Sequence, residues 1–129
     1  MSNVVRVAAA VIVRGDGDVL LAQRPPGRAY AGYWEFPGGK LEAGESPAHA
    51  LSRELHEELG ITVRGASPWL VQEFVYPHAH VELHFFRADV AGDPIPQLGQ
   101  QMRWVPRAEL ATLEFPEADA DLIRLLVAR

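Results

Sequence analysis

The apolar positions of this chain change period as it runs, and those changes mark its elements. Val4 to Val13 is almost continuously valine, alanine and isoleucine. Such a run predicts a strand buried on both faces, although periodicity alone leaves a helix open. Gly15-Asp16-Gly17-Asp18 are strong turn formers. Val19–Ala22 resumes as a second strand, so residues 4–24 read as a β-hairpin with Arg24 at its far end. Pro25–Tyr33 is a loop broken by proline and glycine, in which Arg28, Tyr30 and Tyr33 either reach a ligand or cover the core edge. Trp34-Glu35-Phe36 reads as a strand fragment. Pro37-Gly38-Gly39 then forces an irregular turn with close backbone approach.

A helical period takes over at Pro47. Ser46 is a good N-cap, proline is favoured at the first helical position, and Gly60 is a natural stop. The predicted helix is Pro47–Leu59, with Ala48, Leu51, Leu55 and Leu59 as its apolar stripe. Beyond it, Thr62–Arg64, Trp69–Tyr76 and His80–Arg87 read as strands, the last two joined through Pro77-His78-Ala79. In the last, His80, Glu82 and His84 alternate with Val81, Leu83 and Phe85, the period of a half-buried strand. His78, His80 and His84 invite a zinc reading, but Glu82 separates the two that share a face, and polar-face histidines are favoured. Gly92–Gly99 is a loop, Met102–Val105 a short strand, and Pro106–Leu110 a helical turn. Ala118–Ala128 reads as a second helix, carrying Leu122, Ile123, Leu125, Leu126 and Val127. The interleaving predicts an α+β fold with a mixed sheet between helices.

Composition narrows the function classes. At 129 residues, with 48% apolar and 22% charged, the chain reads as one soluble domain spanning residues 1–129. It has no cysteine, which excludes disulfides, thiolate metal sites and cysteine nucleophiles. The N-terminal apolar run is interrupted by Arg6 and too short to span a bilayer, so a cytoplasmic location is expected and a membrane partner is not. A net charge of −5 offers no broad basic surface for DNA or RNA. A small anionic substrate remains compatible, because bound metal makes a site locally cationic.

The candidate chemistry lies in Gly39–Ile61. Glu54, Glu57 and Glu58 stand at i, i+3 and i+4, on one side of the helix beside the leucine stripe. Like charges so placed repel by about 0.2–0.5 kcal/mol per exposed pair, and by more when desolvated. A hard divalent cation relieves that conflict, and oxygen-only ligands suit Mg²⁺ or Mn²⁺. Arg53, four residues before Glu57, can brace its carboxylate. An acidic cluster of this kind alone is usually a solvated helix face. The glycine turn just before the helix shifts the balance toward metal-assisted attack on a phosphoanhydride.

These residues resemble the signature of the Nudix family, G-x5-E-x7-R-E-U-x-E-E-x-G-U with U a bulky aliphatic residue. Gly39, Glu45, Arg53, Glu54, Leu55, Glu57, Glu58, Gly60 and Ile61 supply it with every spacing kept. The wider context WEFPGGKLEAGES resembles the MutT branch, the 8-oxo-dGTP diphosphatases. The resemblance implies the Nudix fold, a mixed sheet sandwiched between helices (α/β/α). It also implies attack of water on a nucleoside triphosphate, releasing monophosphate and pyrophosphate. Glu54, Glu57, Glu58 and the carbonyl of Gly38 would then hold Mg²⁺ (Mn²⁺ as an alternative). Arg53 would orient Glu54 or Glu57, and Glu45 would tie the loop to the helix. Substrate would meet Arg24, Glu35, Phe36, Pro37, Gly38, Gly39, Lys40, Tyr76 and Asp119, with Tyr76 flanking the purine and Asp119 reading its edge.

Three departures from the branch stand out. Leu98 fills a place where many MutT proteins carry a glutamate, so the chain must use another base, such as Glu54, or be slow. Asp119 replaces an asparagine. An ionised aspartate accepts hydrogen bonds but cannot donate them. His78 and Ala79 replace polar residues. The leading expectation is an Mg²⁺-dependent pyrophosphohydrolase of 8-oxo-dGTP, acting as monomer or homodimer. The alternatives are the same chemistry on a cytidine or modified pyrimidine nucleotide, and a nucleotide sensor with little turnover.

Overall fold

The computed structural model describes residues 4–24, 26–27 and 30–128. Arg28 lies outside them. The continuous apolar run at the N-terminus is strand β1, Val4–Val11, and both its faces are used. Ala8, Ala10 and the following Ile12 turn to one core with Leu51, Leu55, Leu59 and Phe86. Ala9 and Val11 turn to a second core with Phe36, Phe85, Leu122 and Leu126. Alternation therefore survives within an all-apolar run, because each parity faces its own buried layer.

β1 is central to a four-stranded mixed sheet. It pairs antiparallel with β4 (Gly38–Lys40) and parallel with β6 (Ala79–Ala91), and β5 (Thr62–Tyr76) closes the far edge. A second, antiparallel sheet holds β3 (Trp34–Glu35), β2 (Val19–Gln23) and β7 (Met102–Val105) in that order. Helix α1 (Pro47–Leu59) covers the first core and helix α2 (Ala120–Val127) the second. This is the expected α+β fold, with sheet between helices. Among the described residues no helix is long and apolar enough to cross a membrane.

Several expectations are corrected. Residues 4–24 do reverse direction, through Arg14 N–H to Asp18 O (3.1 Å) and the Val13–Val19 bridge. The two strands nevertheless enter different sheets, because β4 and β6 occupy both edges of β1. A turn signal fixes a reversal, not the partners of the strands that leave it. Pro37-Gly38-Gly39 is not an irregular turn: Gly38 and Gly39 open β4, opposite Ala9 and Ala8. The two strands predicted over Thr62–Tyr76 are one. Gly65 and Pro68 fall at register shifts in β5, and an edge strand tolerates both. Along α1 the buried stripe is Ala50, Leu51, Leu55 and Leu59, while Ala48 is exposed. The helix leans its Ala50 flank onto the sheet. The second helix is shorter than predicted, since Glu117–Asp119 forms a separate 3-10 turn before it.

Candidate active site

Helix α1 starts and stops where its caps dictate. Ser46 Oγ accepts the His49 N–H at 3.2 Å, and Gly60 ends the helix at φ 69°. Arg53 is then fixed on the α1 flank by four carboxylates and a carbonyl. Its Nε and Nη2 donate to the two Glu45 oxygens, both at 2.8 Å. Nη1 donates to Glu54 at 2.9 Å and Glu57 at 3.3 Å, and Nη2 to the Lys40 carbonyl at 3.0 Å. Glu42 approaches Nε at 3.0 Å.

Glu45 joins loop to helix, as expected. Its side chain is 6% exposed, accepts the Glu42 N–H at 2.9 Å, and meets His49 Nδ1 at 2.7 Å. The Arg53 guanidinium and the Glu42 amide hold its carboxyl far below the usual carboxylate range. Arg53 is correspondingly pushed up by Glu45. The pair is a fixed bracket, permanently ionised, that orients the carboxylates beyond it.

Gly39 matters for what its missing side chain admits. A Cβ there would lie 2.3 Å from the Glu54 carboxyl carbon, so Glu54 occupies that space. Gly38 faces backbone instead: a Cβ would lie 1.9 Å from Ala8 O, at φ 153°. Glu58 lies between these glycines and the helix end. Burial pushes its carboxyl up to about 8, with help from the charges of Glu54 and Glu35 and against a hydrogen bond from the Gly38 backbone. Glu57 is the outermost of the three, 58% exposed, and shares Arg53 Nη1 with Glu54. Among the described residues no three carboxylate or histidine side chains converge on one point. The structure thus brings Glu54 together with Glu58 and Gly38 on one side and, through Arg53 Nη1, with Glu57 on the other. The donor set still fits a hard divalent cation: all oxygen, with a half-buried acid whose ionisation a cation would favour.

The loop after β6 closes the other end of α1. Ile95 N–H donates to Leu59 O at 2.9 Å, Gln97 N–H to Glu58 O at 2.8 Å, and Gln100 Nε2 to Glu58 O at 3.3 Å. These satisfy carbonyls the helix end would orphan. Leu98, between them, is 72% exposed and offers no base.

A second group lies beyond Glu35. Arg24 donates to Glu35 at 2.9 Å. Asp119 is 6% exposed. Burial raises its carboxyl to about 7, the Glu35 charge adding to this and Arg24 opposing it. Tyr76 is buried too, and its hydroxyl accepts the Ala118 N–H at 3.0 Å. Phe36 turns its ring into the core against Phe85 and Phe115, Pro37 is buried, and Lys40 is exposed. The sheet histidines pair with carboxylates: His84 with Glu82 at 2.6 Å, and His80 with Glu73 at 3.7 Å.

A model of the NUDIX domain matches residues 8–125. The chain belongs to the Nudix family. It is a Nudix pyrophosphohydrolase, acting on phosphoanhydride bonds. This Nudix enzyme is 38% identical over 126 residues to the 8-oxo-dGTP diphosphatase of Haemophilus influenzae, covering 97% of this chain and 93% of that one. It is 40% identical over 127 residues to the CTP pyrophosphohydrolase of Escherichia coli, covering 93% and 87%. A solved MutT structure, from work on Aliivibrio salmonicida and Vibrio cholerae, superposes with a TM-score of 0.83 at 36% identity, covering 98% of both chains. Nudix hydrolases generally need a divalent metal. What the sequence did not reveal in this Nudix site is the support around it: Glu42 and His49 on the bracket, and Gln97 and Gln100 on the helix end.

Proposed function

We propose that this protein is an Mg²⁺-dependent nucleoside triphosphate pyrophosphohydrolase that clears 8-oxo-dGTP from the nucleotide pool, as one domain located in the cytoplasm. The observation that carries the metal half is the pairing of Glu54 with the half-buried acid Glu58 beside Gly38, braced by the Arg53–Glu45 bracket. Glu54, Glu57, Glu58 and the Gly38 carbonyl would hold the ion. When bound, it offsets the charge that develops on the phosphate oxygens. Arg53 holds Glu54 in place, and Glu54, next to Gly39, is the carboxylate assigned to take the proton of the attacking water in place of the absent loop glutamate.

The substrate half rests on Arg24, Glu35 and Asp119 as a connected group on the far side of Glu58. Guanine and its 8-oxo form present N–H donors on one edge, which Asp119 accepts. The CTP pyrophosphohydrolase relative supports a second reading, the same chemistry on a cytidine nucleotide. One assay decides. Purified protein with Mg²⁺ is given 8-oxo-dGTP, dGTP, dATP and CTP, and monophosphate and pyrophosphate are scored. The leading reading expects 8-oxo-dGTP to have the highest kcat/KM. CTP in that place favours the second, and release of single phosphate or no turnover defeats both.

A further inference from the structure

Tyr76 does not offer a face for a base to stack on. The residue is 8% exposed, and its ring is enclosed by Phe74 (centroids 4.7 Å apart), His78 (5.4 Å, stacked) and Tyr30 (5.7 Å). Its one polar side-chain atom reaches across the fold: the hydroxyl at the end of β5 accepts the buried Ala118 N–H, forty-two positions on in sequence. That amide immediately precedes Asp119 in the 3-10 turn Glu117–Asp119. No side chain caps α2 at this end, so the turn depends on other anchors.

Tyr30 completes the enclosure at a conformational cost. It is the only non-glycine residue with positive φ among those described, at 60°. For a bulky residue that conformation is strained and persists where surroundings over-determine it. Here the surroundings are aromatic: its ring meets Tyr33 at 5.3 Å, Tyr76 at 5.7 Å and His78 at 6.3 Å. Two loops, before β3 and between β5 and β6, are thus joined around one ring whose hydroxyl holds a third segment.

We propose that Tyr76 is a positioning residue for base selection: clamped by Tyr30 and His78, it fixes the Ala118–Asp119 turn through its hydroxyl and so sets where the Asp119 carboxyl stands. This rests on the assignment of Asp119 to the base edge. A hydroxyl oxygen in place of a ring hydrogen is what distinguishes this role from packing alone. Groups facing the Asp119 carboxyl from neighbouring elements are Glu35 on β3, Arg24 after β2 and the Tyr76 hydroxyl itself.

The test compares 8-oxo-dGTP and CTP on the full chain with Mg²⁺. The wild-type preference is measured first, in whichever direction it lies. Tyr76→Phe is expected to reduce that preference by about fivefold or more, the worth of one buried hydrogen bond. The loss should fall on KM for the favoured nucleotide more than on kcat. Tyr30→Gly relaxes the positive φ but removes the ring, and should reduce the preference in the same way. Tyr30→Phe keeps the ring and should restore it. Equal loss on both nucleotides, an unchanged ratio, or a Tyr30→Gly protein that selects as well as wild type would overturn the positioning role and leave the hydrolase reading standing. A wild type that turns over neither nucleotide removes that reading, and the positioning role with it.

Discussion

Asp119 shows what a buried acid does when its strongest neighbour is another acid. Desolvation and the Glu35 charge raise its carboxyl to about 7, against an ordinary value of 3.8. Between those values the native state keeps a proton that the unfolded chain gives up. Stability therefore falls as pH rises through that window, and the loss is complete above the folded value. Asp119→Asn removes the titration. It should stabilise the protein more at pH ~8 than at pH ~5, the difference being roughly 1–3 kcal/mol. Urea midpoints at the two pH values measure it, and equal shifts would show that the carboxyl is not held neutral. The same proton bears on recognition. The neutral acid can donate to a base oxygen, and the ionised form can only accept. Base preference should change with pH near neutrality in the wild type and hold steady in Asp119→Asn. Glu57 presents the opposite case, exposed and paired with Arg53. Glu57→Gln should leave the urea midpoint within experimental error and lower kcat/KM by well over about 100-fold, more than loss of an outer-shell partner costs. An unchanged rate would remove Glu57 from the metal assignment.

At the scale of elements, two adjacent glycines of β4 do different work. Added side-chain carbon at Gly39 meets the end of a flexible side chain, Glu54, whereas at Gly38 it meets the backbone of β1. Gly39→Ala should therefore fold, with a stability change under about 1 kcal/mol, and lose activity as Glu54 is displaced. Gly38→Ala breaks the β4–β1 pairing and should cost about 3 kcal/mol or more. Thermal unfolding beside a turnover assay separates the two, and equal destabilisation would refute the distinction. This contrast was not legible in the sequence. Pro37-Gly38-Gly39 reads as a turn, because glycine marks permissive backbone without saying which neighbour needs the space. Helix α1 was legible from Ser46 to Gly60, since caps and period are local. So was the carboxylate spacing, which helix geometry turns directly into a shared flank. Partners set by long-range pairing were not: the split of β1 and β2 between sheets, the Tyr76–Ala118 hydrogen bond, and the docking of Gln97 and Gln100 on α1.

For the whole molecule, the proposed metal assignment would make the proton on Glu58 couple metal binding to pH. Its carboxyl is pushed up to about 8 because it is partly desolvated beside Glu54 and Glu35. A divalent ion binds the ionised form, so below that value binding must expel the proton. Apparent Mg²⁺ affinity should rise by up to about tenfold per pH unit below pH ~8 and level off above it. Calorimetry in two buffers of different ionisation enthalpy would count the proton released. Glu58→Gln should weaken binding and flatten the pH dependence, while Glu57→Gln weakens binding and keeps the slope. The same linkage predicts that Mg²⁺ raises the unfolding temperature more at pH ~8 than at pH ~6, because tighter binding stabilises the native state further at equal metal concentration. The Arg53–Glu45 bracket takes no part in the slope, since its groups stay ionised throughout this range. A wild-type affinity that stayed flat from pH ~6 to ~8 would place the metal away from Glu58, and would leave the raised carboxyl as a consequence of burial alone.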